Sequence, residues 1–179
     1  MKKFILAGGI LVLILTLVLV GGSLLLPGEF AIERSAAITG TPAQIYALAG
    51  HLDTWPEWTP WNGESYAGME ISFPGRTEGL GAVQVWTLGE TTGRLEVTSA
   101  EEARGLSYDL AIEGGPRIEG IISFEAGPSE GEAPVTRVRW QQRGPLDGVF
   151  ARWIGLTLER SLGGDLEKAL AGLEARIGG

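Results

Sequence analysis

The chain has 179 residues, a net charge of −8, 44% hydrophobic residues, no cysteine and one histidine. That length holds one domain of ordinary size with at most an appendage, and it excludes a multidomain enzyme with a separate cofactor module. The acidic balance argues against nucleic acid as a partner, since phosphate binding needs clustered Lys and Arg, while the lack of Cys removes disulfides, thiolate zinc sites and cysteine nucleophiles, and the lone His51 removes a multi-histidine metal site.

The average conceals two unlike parts. Residues 1–26 contain 18 hydrophobic residues, no acid, and the basic pair Lys2 and Lys3. The remaining 153 residues carry all 22 acids and 12 bases, a net charge of −10. From Phe4 to Leu26 no residue is charged. A helix over that run would span about 35 Å, enough for a hydrocarbon core of about 30 Å. Lys2 and Lys3 before it, and Glu29 after the Pro27-Gly28 break, put the N-terminus inside and the domain outside under the positive-inside rule. A cleaved signal peptide has a shorter apolar region, about 7–15 residues, and a small-x-small cleavage site. Val20-Gly21-Gly22-Ser23 is a poor site of that kind, and Leu24-Leu25-Leu26 restores hydrophobicity after it. The expected division is an uncleaved signal anchor and linker over 1–28 and a domain over 29–179.

In the domain, Phe30, Ile32, Ala36 and Ile38 alternate, with Arg34 the polar interruption on that face, which predicts a first strand. Gly40-Thr41-Pro42 reads as a helix start, a capping residue followed by Pro at the first helical position. That helix runs through Ile45, Tyr46, Leu48 and Ala49 to Gly50. Asp53 is placed to cap a second short turn, Trp55-Pro56-Glu57-Trp58, which Pro60 stops. The period then changes to two. Alternating runs cover Met69–Phe73, Gly81–Leu88, Gly93–Ser99, Leu106–Ile112, Arg117–Phe124 and Val135–Arg143, with turns at Pro74-Gly75 and Gly114-Gly115-Pro116. Gly127 to Pro134, with Ser129, Glu130 and Glu132, reads as a polar loop. Regular short strands of this kind predict an antiparallel meander. In Gly81–Leu88 the inward face is open: Val83, Val85 and Thr87 compete with Ala82, Gln84 and Trp86.

From Val149 the apolar positions Val149, Trp153, Leu156, Leu162, Leu166, Ala169, Leu170, Leu173 and Ile177 follow a helical stripe. Gly163-Gly164 costs about 2 kcal/mol of helix propensity relative to alanine. It predicts a kink or a close contact, with Asp165 placed to cap the second half. One face of an antiparallel sheet needs covering, and only this last helix is long enough. A curved sheet gripping a long helix leaves a space between them, the natural binding site.

The sequence resembles the START-like helix-grip superfamily (SRPBCC-type), in particular its polyketide cyclase/dehydrase and lipid-transport branch. The resembling segments are Glu33-Arg34-Ser35, Thr41-Pro42-Ala43-Gln44-Ile45-Tyr46, and above all Asp53-Thr54-Trp55-Pro56-Glu57-Trp58-Thr59-Pro60-Trp61. Gly79-Leu80-Gly81, Thr136-Arg137-Val138-Arg139-Trp140 and the closing Leu166–Leu173 stretch also fit, so that the resemblance covers nearly all of the part after the anchor. It implies an α+β helix-grip fold: a curved antiparallel sheet of about six to seven strands wrapped on a long C-terminal helix. Lipid carriers, aromatase/cyclases and hormone receptors share that fold, so the fold alone does not supply the function.

The expected cavity lining is Tyr108, Phe124, Trp140 and Trp153. Tyr108 shares a face with Leu106, Leu110 and Ile112, and Trp140 with Thr136 and Val138. Their hydroxyl and indole N–H either meet a ligand or belong to plain core. Trp55, Trp58 and Trp61 recur every three residues; they form an aromatic lip at the cavity mouth or plug one end of the sheet. His51 titrates near neutrality when unperturbed, but just after Gly50 it is better placed to meet a helix dipole than to catalyse. Arg137, Arg139, Gln141 and Arg143 alternate with the apolar face and are expected in solvent, paired with Glu119 and Glu125 for about 0–1 kcal/mol each. A Ser-His-Asp triad would have to use His51, no phosphate loop or dinucleotide fingerprint occurs, and Glu101-Glu102 sit in a turn. No catalytic residue is assigned, and neither a metal nor a cofactor is expected.

The expectation is a single-pass protein of the cytoplasmic membrane, inserted through residues 4–26, with its domain outside. That domain binds a hydrophobic small molecule or lipid between sheet and helix. The alternatives are a cyclase/dehydrase-type enzyme using Tyr108, Asp109 or His51, and a protein-interaction module with a filled core. The sequence carries no signal of oligomeric state.

Overall fold

The computed structural model describes residues 2–127 and 133–178, with the side chains of the first helix described from Gly8 onward; Ser129, Glu130 and Glu132 of the polar loop lie outside the described residues. The alternating runs become strands β1 (Glu29–Thr39), β2 (Glu70–Ser72), β3 (Val83–Leu88), β4 (Thr91–Glu101), β5 (Gly105–Ile112), β6 (Arg117–Ala126) and β7 (Val135–Pro145). The helices are α1 (Lys2–Ser23), α2 (Pro42–Ala49), α3 (Trp55–Trp58) and α4 (Val149–Gly178). All seven strands form one antiparallel sheet in the order β1-β7-β6-β5-β4-β3-β2. The meander from β2 to β7 is therefore closed on one side by the first strand.

Register aligns side chains in rows across this sheet. Ile32, Gln142, Gly120, Tyr108 and Val97 form one row over β1, β7, β6, β5 and β4. Arg34, Trp140, Ile122 and Leu106 form the next. Next to the first row, on the same face, Gln84, Leu95, Leu110 and Ile118 share a third. The covered face meets α2 and the second half of α4, where Ile38, Ile45, Ala49, Leu52, Val138, Leu166, Ala169 and Leu173 are buried.

The helix starts follow local chemistry at some positions and not at others. Thr41 caps α2 in a reciprocal box: its hydroxyl oxygen accepts from the Gln44 N–H (3.3 Å), and Gln44 Oε1 accepts from the Thr41 N–H (2.8 Å). Asp53, expected as a cap, lies instead inside a 3-10 turn, Leu52–Thr54, and no side chain caps α3. Asp165 is likewise no cap. α4 runs unbroken through it, and its carboxylate accepts from the Tyr66 hydroxyl (2.7 Å) and from Lys168 (3.2 Å). Nor does Gly163-Gly164 break the helix. Gly163 is a close contact: a Cβ there would run into the Arg34 guanidinium. Arg34, the polar interruption on β1, donates from Nε to Glu167 (2.5 Å) and from Nη2 to Glu159 (2.8 Å), tying the strand to α4.

α1 is also held by α4. The Trp153 indole N–H donates to the Leu19 carbonyl (3.0 Å) and Arg152 Nη1 to the Ser23 carbonyl (3.1 Å). Both contacts fall in the last two turns of α1. Among the described residues no helix is long and apolar enough to cross a membrane. The described side chains of α1 include exposed Ile10, Leu11, Val12, Leu13 and Ile14.

Candidate functional site

A partly open cavity of about 240 Å³ lies between the sheet and the segment that follows α2. Leu95, Tyr108, Leu110 and Ile112 form its floor, from β4 and β5. Gln84, Trp86 and Leu88 of β3 and Gln142 of β7 stand at its sides. Trp55, Thr59, Trp61, Tyr66 and Met69 cover it, with Leu162 from α4. The inward face of β3 is thus the one carrying Gln84 and Trp86. Among the described residues, no Asp, Glu, Lys, Arg or His lines the cavity.

Two glycines shape this floor. Gly120 faces Tyr108 across β5–β6, and Gly93 faces Trp86 across β3–β4. In each case the aromatic ring lies over the glycine, where a Cβ would collide with ring atoms. The Tyr108 ring crosses the empty Gly120 position and reaches the next strand. There its hydroxyl oxygen accepts from the Trp140 indole N–H (3.0 Å) and lies 2.6 Å from the Gln142 side-chain amide. Tyr108→Phe is expected to cost about 2 kcal/mol, because it leaves the buried indole N–H and amide without that partner. A lowered denaturant midpoint at unchanged slope is the readout.

Burial pushes the Tyr108 phenol up to about 12, against the opposing effect of its hydrogen bonds from Gln142 and Trp140. Tyr66 is also pushed up to about 12, by burial first and then by its bond to Asp165. Tyr46 is raised by burial too. A raised tyrosine contributes stability that is complete below its unfolded value, about 10, and is lost as pH rises through the folded value. Alkaline titration should therefore show stability falling between pH ~10 and ~12, with tyrosinate absorbance appearing together with loss of the fold. Early ionisation of all three tyrosines in an intact domain would contradict this packing.

The residues expected at the cavity separate. Tyr108 lines it. Trp140 lies beneath it, fully buried, its ring 5.4–5.9 Å from those of Trp55, Trp58 and Trp61. Phe124 is core on β6 and is not among the lining residues. Trp153 packs on Gly22 of α1. The three tryptophans of the turn divide as well: Trp55 and Trp61 line the cavity, whereas Trp58 does not, and together they enclose Trp140. His51 lies 3.2 Å from Glu78, away from the cavity. Asp109 accepts from Arg117 on the other face of the sheet. Arg143–Glu119 (2.8 Å), Arg139–Glu33 (3.3 Å) and Arg139–Glu125 (4.0 Å) occupy that outer face too. The sequence left Gln84 on one of two open faces of its strand, and Gln142 was passed over. The signal was available for Gln142, a polar residue in phase with buried Val138 and Trp140.

A family model described as polyketide cyclase / dehydrase and lipid transport matches residues 29–178. No curated protein matches the sequence. Solved structures share the fold. A protein from Thermus thermophilus is 21% identical, with a TM-score of 0.57, over 83% of this chain and 97% of its own. One from Thermobifida fusca is 17% identical, with a TM-score of 0.59, over 83% and 93%. The protein XoxI from Bacillus cereus is 16% identical, with a TM-score of 0.57, over 84% and 96%. At these identities the likeness is one of fold.

Proposed function

Since the chain belongs to the polyketide cyclase / dehydrase and lipid transport family, we propose that its cavity binds a hydrophobic small molecule or lipid and that α1 anchors it in the cytoplasmic membrane with the domain outside. The observation that carries the binding reading is the cavity itself, about 240 Å³, walled mainly by apolar and aromatic side chains, with no charged side chain among the described lining residues. An apolar cavity of about 150 Å³ takes benzene, so a ligand of roughly two rings fits inside. Burying about 200 Å² of its surface contributes about 5 kcal/mol before the costs of association.

Turnover has less to support it. The titratable groups at the cavity are two tyrosines held protonated to about 12, and Asp109 and His51 lie elsewhere. A filled interaction module does not account for the cavity. Native mass spectrometry with solvent extraction of the full-length protein is expected to recover an apolar ligand. The binding reading fails if the protein is empty and no apolar probe binds.

The anchor reading rests on the uncharged run from Phe4 to Leu26 after Lys2 and Lys3. Because the chain has no Cys, Leu80→Cys gives a single label site at a residue 61% exposed. A membrane-impermeant maleimide is expected to label it on intact spheroplasts. Labelling only after lysis would put the domain inside.

A further inference from the structure

We infer that the ligand of this cavity is an uncharged apolar molecule bearing a hydroxyl, held by the side-chain amides of Gln84 and Gln142. This rests on the binding reading above and adds the polar half of the ligand. Among the described residues, four buried side-chain polar atoms have no hydrogen-bond partner: Thr59 Oγ1, Gln84 Oε1, Gln142 Oε1 and Arg139 Nε. Arg139 faces Glu33 and Glu125 on the outer surface. The other three belong to residues that line the cavity, and those residues are only 4%, 5% and 3% exposed. Proteins rarely leave such groups unpaired, and each one calls for a partner. Here all three belong to residues that line one cavity.

Charge and hydrogen-bond chemistry narrow that partner. A carboxylate or phosphate would be buried with no cation among the lining residues, a large desolvation cost. The Trp140 indole can only donate, so it takes one lone pair of the Tyr108 oxygen. If the Gln142 amide donates to that oxygen, its carbonyl is left over. If the amide is turned, its carbonyl accepts the phenol proton and the NH₂ is left over. Gln84 adds an unpaired carbonyl from β3. With the Gln142 amide turned, a ligand hydroxyl accepts from its NH₂ and donates to the Gln84 carbonyl; in the other arrangement its one proton serves one of the two carbonyls. A ketone or ether only accepts, and an ammonium only donates.

The test compares 2-naphthol, naphthalene and 2-naphthoate, by calorimetry on the full chain in nanodiscs with protein-free nanodiscs as the blank. The expected order is 2-naphthol about tenfold tighter than naphthalene, with 2-naphthoate no tighter than naphthalene. The double substitution Gln84→Leu, Gln142→Leu should remove the advantage of 2-naphthol, read as the ratio of 2-naphthol to naphthalene affinity within the variant. Gln84→Leu alone should remove part of the advantage and serves if the double variant does not fold. Equal binding of 2-naphthol and naphthalene by the unaltered protein overturns the inference and leaves the cavity reading standing; ordered water would then satisfy the amides. Tightest binding of 2-naphthoate overturns it as well. Binding of none of the three overturns both readings.

Discussion

Gly120→Ala is expected to destabilise the domain by about 3 kcal/mol or more, a large effect for one methyl group. The added Cβ would enter the Tyr108 ring, and that ring has nowhere to retreat. Its hydroxyl is bonded to Trp140 and Gln142, and its ring makes a T-shaped contact with that of Trp55, centroids 5.6 Å apart. Overpacking of this kind costs about 1–3 kcal/mol, and each buried donor stranded when the phenol moves adds about 1–3. The measurement is equilibrium unfolding in denaturant, with the Tyr108→Phe variant alongside. Because the two changes break the same bonds, their combination should cost less than their sum. A Gly120→Ala protein within about 0.5 kcal/mol of the unaltered one would mean that the ring does not lie over this glycine.

Gly172→Ala should cost a comparable amount, about 2–4 kcal/mol, for a different reason. Gly172 of α4 meets the backbone carbonyl of Trp58, and a Cβ there would collide with it. A side chain in that place could rotate away; a carbonyl cannot without moving α3. That short helix carries Trp55 and leads directly into Thr59 and Trp61, all of which cover the cavity. The variant is therefore expected to lose affinity for apolar probes as well as stability, with faster hydrogen exchange over residues 52–62 than over β6 and β7. Gly164→Ala supplies the contrast. Nothing lies within 4 Å of a Cβ there, and removing a glycine from a helix interior should stabilise by up to about 1 kcal/mol. If both substitutions in α4 prove alike, the grip at Gly172 is not real.

Much of the architecture was legible in the sequence because it depends on short-range signals. Two-residue periodicity located the strands, Thr41-Pro42 located α2, and the apolar stripe from Val149 located α4. What escaped depends on which strands become neighbours and on how deeply each residue sits. Alternation puts Tyr108 and Trp140 on the inward face but says nothing of depth. Depth follows from Gly120, whose missing side chain lets Tyr108 lie flat, and from the Trp55–Trp61 turn, which folds over Trp140. Asp165 looked like a cap because caps are local. Its actual partner, Tyr66, is 99 residues away in the chain. Gln84 could not be assigned from its own strand, where two alternating sets were equally apolar; pairing with Leu95 on β4 decides the matter.

The clamp between α1 and α4 has a geometric consequence. α4 is one uninterrupted helix of 30 residues, a rod about 45 Å long. Near one end Trp153 and Arg152 grip the final turns of α1; farther along, Leu162 enters the cavity and Asp165 holds Tyr66 over it. From Trp153 to Leu162 the rod advances about 14 Å. If α1 is the anchor proposed above, this clamp fixes the position of the chamber along α4 relative to α1 instead of leaving it to swing on a loose tether. A change in the tilt of α1 would then be carried along α4 to the cover of the chamber.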